Sequence, residues 1–295
     1  MTITEAELAS LTFGCELEYE GITQERAAKV VAQVTGGTAR YEGYHLSNWT
    51  VTMPDGRKWQ VVYDGSLWGG AEVVTPILTY ADIETLQEVV RAMRKAKAKV
   101  NSRTGLHVHV GAQGMTPTQI KNLVKIFYKQ EELILKATGT QPIRIEKYTR
   151  KTDLGFVDKI CAMRNPTMSS LADAYYAGYY DRYRHYSKAR YHALNLHNLW
   201  NGGKGTVEFR YHEQSLHAGV IKAAVLIDLL MVLKAKSAKA ASAKNPRPYS
   251  EASAKYDFRV FLLRLGANGA TFKSMRKHLC KNLPGSAAWK DGRHD

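Results

Sequence analysis

Three short stretches of the chain set ionisable side chains two residues apart. Glu16 and Glu18 lie within Phe13 to Glu20, His107 and His109 within Gly105-Leu-His-Val-His-Val110, and Glu208, Arg210 and His212 within Thr206 to His212. In each stretch the intervening residues are apolar. A period of two is that of a β-strand, so each ionisable set projects from one strand face. Two carboxylates held side by side repel each other unless a cation lies between them. Two imidazoles on one face can ligate a metal or hydrogen-bond phosphate oxygens. Each stretch alone also has a plain structural reading: a solvated sheet face, a pair of satisfied histidines, a Glu–Arg ion pair. Three such strands together imply a sheet whose apolar back is covered by helices and whose polar front is an active-site surface.

Two further elements suit the same surface. In Asp64-Gly-Ser-Leu67 an acid and a hydroxyl share a turn, placed either to orient a nucleophile or simply to cap the turn. Glu72, at the start of Glu-Val-Val-Thr-Pro76, supplies another carboxylate. Hard oxygen donors dominate and thiolates are absent, which favours Mg²⁺ or Mn²⁺ bridged to phosphate over zinc. The Gly202-Gly203-Lys204-Gly205 turn lacks Walker spacing and reads as a hairpin loop. Arg182, Arg184 and Arg190, set among tyrosines, either clamp phosphates or form a solvated basic loop.

These residues need elements to hold them. Strands are expected at Phe13 to Glu20, Trp49 to Met53, Lys58 to Tyr63, Ala71 to Thr75 and Leu106 to Val110, and on both sides of the Gly202–Gly205 turn, at Asn195 to Trp200 and Thr206 to His212. Helices are expected at Thr23 to Val34, Ala81 to Lys99, Thr116 to Ala137, Ala218 to Ala241, Tyr256 to Leu265 and Thr271 to Leu283. The Tyr/Arg-rich middle, Gly139 to Arg190, reads as loops and short helices, a natural lid. Asn245 to Ser250, with two prolines, reads as a linker between a catalytic domain, residues 1–245, and a basic helical C-terminal extension, residues 246–295, packed on it.

Composition narrows the class. At 295 residues, 44% hydrophobic and 23% charged, the chain has the make-up of an ordinary globular protein. Cys15, Cys161 and Cys280 are far apart and read as free thiols in a reducing cytoplasm. The apolar run Val220 to Leu233 is too short for a membrane span and is interrupted by Lys222 and Asp228, so it reads as a buried helix. The formal charge of +15 is uneven: residues 221–295 hold fifteen Lys/Arg against five Asp/Glu. Such a field favours nucleoside triphosphates, polyanionic acceptors or nucleic acid as partners.

The ordered series Phe-Gly-Cys-Glu-Leu-Glu, Asp-Gly-Ser-Leu, Glu-Val-Val-Thr-Pro, Gly-Leu-His-Val-His-Val, Arg-Tyr-His-Ala-Leu-Asn-Leu and Thr-Val-Glu-Phe-Arg resembles the amidoligase family of glutamine synthetase-like carboxylate–amine ligases, from about Phe13 to Leu216. The resemblance implies an α+β fold, a curved, largely antiparallel sheet backed by helices as in the catalytic domain of glutamine synthetase. It also implies ATP-dependent amide-bond formation through an acyl-phosphate. Carried over by position, Glu16, Glu18, Glu72 and Glu208 resemble metal ligands and Arg210 the phosphate-binding arginine. His107 and His109 resemble the strand that contacts metal or phosphate, while Asp64 matches a position expected to be catalytic and Arg190 and Asn195 match positions expected to bind ATP. The competing classes are a nucleic-acid-binding protein with structural acidic strands, and a zinc hydrolase built on His107, His109 and a glutamate.

Overall fold

The computed structural model describes residues 3–43, 48–67, 69–200, 203–244, 246 and 248–290. Gly202, Asn245 with the expected domain boundary beside it, and the last five residues of the basic extension lie outside the described residues. Eight strands form one open sheet: β1 (Phe13–Tyr19), β2 (Thr38–Tyr41), β3 (Trp49–Thr52), β4 (Lys58–Val62), β5 (Ala71–Val74), β6 (Gly105–Gly111), β7 (Leu194–Asn195) and β8 (Thr206–Glu213). Their order is β2-β3-β4-β5-β1-β6-β8-β7, and every pairing is antiparallel. The fold is α+β.

Alternation decides what each face does. Cys15, Leu17, Val73, Leu106, Val108, Val110, Val207 and Phe209 are buried on the back, against the helices Gln24–Thr35, Ile83–Lys95, Pro117–Thr138 and Ala218–Ser237. Phe127 of the third helix packs on Phe209 and Tyr211. The cap chemistry explains the helix bounds. Thr23 and Thr116 accept hydrogen bonds from first-turn amides, and Gly36 (φ 66°) and Gly139 (φ 74°) close two C-termini in the left-handed region that glycine tolerates.

Four expectations need correction. The stretch Asn195 to Trp200 is not a strand: β7 ends at Asn195, whose Oδ1 accepts the His197 amide at 2.9 Å and opens the short helix His197–Trp200. The helix expected to reach Lys99 stops at Lys95, and Lys97 turns left-handed (φ 66°). The helix expected to reach Ala241 stops at Ser237, because Gln119 and Asn122 take the carbonyls of Lys236 and Ala238 at 3.0 and 2.8 Å. His212 does not share a face with Glu208 and Arg210. In β8, Arg210 and Tyr211 together oppose the single residue His107, a β-bulge that turns both Tyr211 and His212 to the back.

The strand β2 was not expected. The extension forms helices Ala254–Arg264 and Lys273–Cys280, whose Phe258, Leu262, Met275 and Leu279 are buried, the second helix lying against Ala218–Ser237. Among the described residues no helix is long and apolar enough to cross a membrane.

Candidate active site

Pairing across the sheet brings the ionisable sets together. Glu18 stands opposite Glu72, Glu16 opposite His107, and His109 opposite Glu208. His107 Nδ1 is 2.9 Å from Glu16 Oε2 and 3.8 Å from Glu208 Oε1. One ligand atom each from Glu16, His107 and Glu208 fall within 4.8 Å of one another. His109 Nε2 lies 3.1 Å from Glu16 Oε1, an ion-pair contact out of line for a hydrogen bond.

Glu208 is held from all sides. Its Oε2 accepts from Asn195 Nδ2 at 2.7 Å and Asn198 Nδ2 at 3.1 Å, and its Oε1 pairs with the Arg210 guanidinium. Burial alone would raise its pKa, but Arg210 first and His109 next outweigh burial and hold it at about 2. Burial also acts to raise Glu16, and the neighbouring His109 and His107 keep it well below the usual carboxylate range. Burial, then the Arg210 charge, pushes His107 down to about 4, so its ring is neutral at pH 7. The neutral ring donates from Nδ1 to Glu16 and accepts at Nε2 from Arg144 Nη2, 3.2 Å away.

The other two carboxylates are less well compensated. Burial raises Glu18 to about 7, although Arg144 and the Gly105 amide, 2.5 Å from its Oε2, work against burial. Burial together with the charges of Glu16, Glu18 and Asp64 raises Glu72 to about 9. This wall therefore carries more carboxylates than its own cations neutralise. The donor set of clustered carboxylate oxygens and two imidazoles, His109 Nε2 among them without a hydrogen bond, fits a divalent cation.

Two cavities meet at this cluster. One, of about 520 Å³, has Glu16, Glu18, Glu72 and Asp64 on one wall and Arg144, Arg190 and Arg210 among its other lining groups. The second, of about 550 Å³, is lined by Phe13, Pro76, His109 and Thr206 with Lys58 and Lys236. Glu16, Gln60, Val74 and Lys204 line both. The Tyr/Arg-rich segment supplies part of the first cavity: Arg190 stacks on Tyr186 and Tyr191, and the Tyr191 ring lies 5.8 Å from the Arg210 guanidinium carbon.

Asp64 lines the first cavity, its Oδ1 taken by the Ser66 amide at 2.7 Å. Asn195 lines neither of these two cavities. It is buried behind Glu208, its Oδ1 accepting from His197 N and Tyr175 Oη while its Nδ2 donates to that carboxylate.

The profile of a family described as putative amidoligase enzyme matches residues 9–232. The chain belongs to the amidoligase family. The match spans all the strands and ends before the C-terminal extension. No curated protein matches the chain. Membership suggests an amide-bond ligase.

Sequence reasoning missed Arg144 and did not connect Lys204 with the cluster in this amidoligase. Lys204 Nζ lies 3.9 Å from Glu16 Oε1, on the wall shared by the two cavities. Arg144 had a signal: Gly105 opens the histidine strand, and a glycine in a strand marks close approach by another group. A Cβ there would sit 1.8 Å from Arg144 Nη2.

Proposed function

We propose that this protein is an ATP-dependent carboxylate–amine ligase that joins its substrates through an acyl-phosphate, on a glutamine synthetase-like catalytic sheet with a divalent metal site. The observation that carries this reading is the cluster Glu16–His107–Glu208, with Arg210 on Glu208, opening onto two cavities. One cavity then takes the nucleotide and the other the carboxylate and amine, and the phosphoryl group passes at their junction. Residues Glu16, Glu18, Glu72, His107 and Glu208 would hold Mg²⁺ or Mn²⁺. Such a cation, when bound, supplies neutralisation of phosphate charge and alignment of the transferring group.

The chain's own groups do the rest. A carboxylate oxygen of the donor attacks the γ-phosphorus and ADP departs, leaving an acyl-phosphate. Arg210, aimed by Glu208, donates to the equatorial oxygens of the group in transit. Lys204 and His109 face the same charge from the junction. Asp64 accepts the proton of the incoming amine, which attacks the acyl carbon and expels phosphate. Tyr186, Arg190 and Tyr191 shield the intermediate from water. The cationic surplus of residues 221–295 supports an anionic acceptor or a nucleic-acid-linked partner, held in a salt-sensitive way.

ADP release tests the reading. Purified protein with Mg²⁺ and ATP, screened against amino acids, peptides, polyamines and cell extract, is expected to form ADP only when a carboxylate substrate is present, and hydroxylamine should trap the acyl-phosphate as a hydroxamate. Metal-dependent hydrolysis of esters or amides without ATP would replace this reading with that of a hydrolase.

A further inference from the structure

One buried cation at the site has no direct ion pair: the charges of Glu18 and Glu213 act on it only from beyond contact distance. Arg144, on the helix Pro142–Lys147, is 2% exposed and lines the first cavity. Its Nη2 meets only neutral acceptors, His107 Nε2 at 3.2 Å and the Arg210 carbonyl at 3.3 Å, and its Nε–H has no acceptor. Among the described residues no carboxylate lies within ion-pair distance of it. Arg210 beside it is paired with Glu208. A buried guanidinium with no carboxylate in direct contact is costly, and the chain makes room for it by keeping Gly105 without a side chain. Such a group beside a cavity is built to receive an anion.

Resting on the ligase reading, we propose that Arg144 binds a second carboxylate of the acyl donor, so that the donor is a dicarboxylate: a free dicarboxylic acid or the acidic end of a peptide. The reacting carboxylate is an unsuitable partner for a permanent buried cation. Its charge passes to the phosphoryl oxygens when the acyl-phosphate forms, and Arg210 already faces that charge. A second carboxylate stays ionised from binding to product and keeps Arg144 paired throughout. The planar fork of arginine also matches a carboxylate in two hydrogen bonds, which fixes the donor's orientation as well as its affinity.

The test is calorimetric titration of the full chain, with Mn²⁺ present, against two matched pairs: glutarate with pentanoate, and Ala-Ala-Glu with Ala-Ala-Gln. The expected result is about 10- to 100-fold tighter binding of the acidic member of at least one pair. The first pair reports a free dicarboxylic acid and the second a peptide end. Arg144→Gln should erase the preference. Gly105→Ala, which keeps the charge but drives a methyl into the guanidinium, should weaken it and serves if Arg144→Gln does not fold. Equal binding within both pairs, binding of none of the four, or a preference that survives either substitution overturns the proposal. ADP formation separates this idea from the ligase reading. Carboxylates that stimulate ADP without any dicarboxylate preference leave the ligase standing and sink the Arg144 assignment. An Arg144-dependent glutarate site with no carboxylate-stimulated ADP leaves the anion site standing and sinks the ligase.

Discussion

The two faces of β8 each bury a polar cluster, and they differ in one respect. On the back, Asp228 accepts from Tyr211 Oη at 2.6 Å and His212 Nε2 at 2.8 Å, and both of its oxygens are used. On the front, Glu208 is equally well partnered, but around it Glu72 and Glu18 lack sufficient counter-charge, and His109 Nε2, Arg144 Nε and Arg210 Nε lack acceptors. A closed network holds a fold together. An open one, with surplus carboxylates on one wall and a surplus cation on another, has its missing partners in the ligands.

That contrast is sharpest at Glu16. Glu16→Gln is expected to lower metal-dependent ADP formation by about 10³-fold or more, as befits loss of a charged ligand, while circular dichroism and the apo melting temperature stay near wild type. Wild-type turnover in this variant would remove the front cluster from the chemistry. The mirror experiment is Asp228→Asn. Leaving buried donors unmatched should cost about 3 kcal/mol in denaturant unfolding, with Mn²⁺ still bound by the folded fraction. Loss of Mn²⁺ binding without loss of stability would merge the two faces into one site.

Arg210→Lys comes next, with an expected fall in kcat of about 10²-fold, because the ammonium keeps the charge but not the planar fork. A change under about threefold would make Arg210 only the structural partner of Glu208.

The pH dependence is the smallest effect. Glu72, raised from 4.5 to about 9, holds a proton in the folded apo protein over a range where the unfolded chain has lost it. Apo stability therefore falls as pH rises from about 4.5 toward 9, the opposite of a salt-bridged carboxylate. A cation needs the ionised form, so Mn²⁺ binding should release protons and tighten up to about tenfold per pH unit below 9. Calorimetry in buffers of different ionisation heat would detect this, and proton-neutral binding would show that Glu72 is not a ligand.

The alternation of β1 and β6 was legible because its period is local: Glu16, Glu18, His107 and His109 had to share faces whichever strands they paired with. The buried helix at Val220 to Leu233 was legible for the same reason, and its one acid, Asp228, read there only as an interruption of the apolar run. The end of β7 was less so, because the side chain of Asn195 captures the backbone two residues on and overrides a strand-like run.

Sequence by itself thus determined the acidic first strand, the histidine strand and the Glu208–Arg210 pair, since each follows from spacing within a single element, while the α+β class followed from the family resemblance. Only the tertiary structure decided that His212 faces away from the site, because a bulge exists only against a partner strand that counts one residue fewer. It alone brought Asn195 against Glu208, to which its Nδ2 donates. It alone brought Arg144, thirty-seven residues beyond His107 in sequence, to that ring. Long-range placement of this kind depends on how helices dock on the sheet, and no local periodicity encodes it.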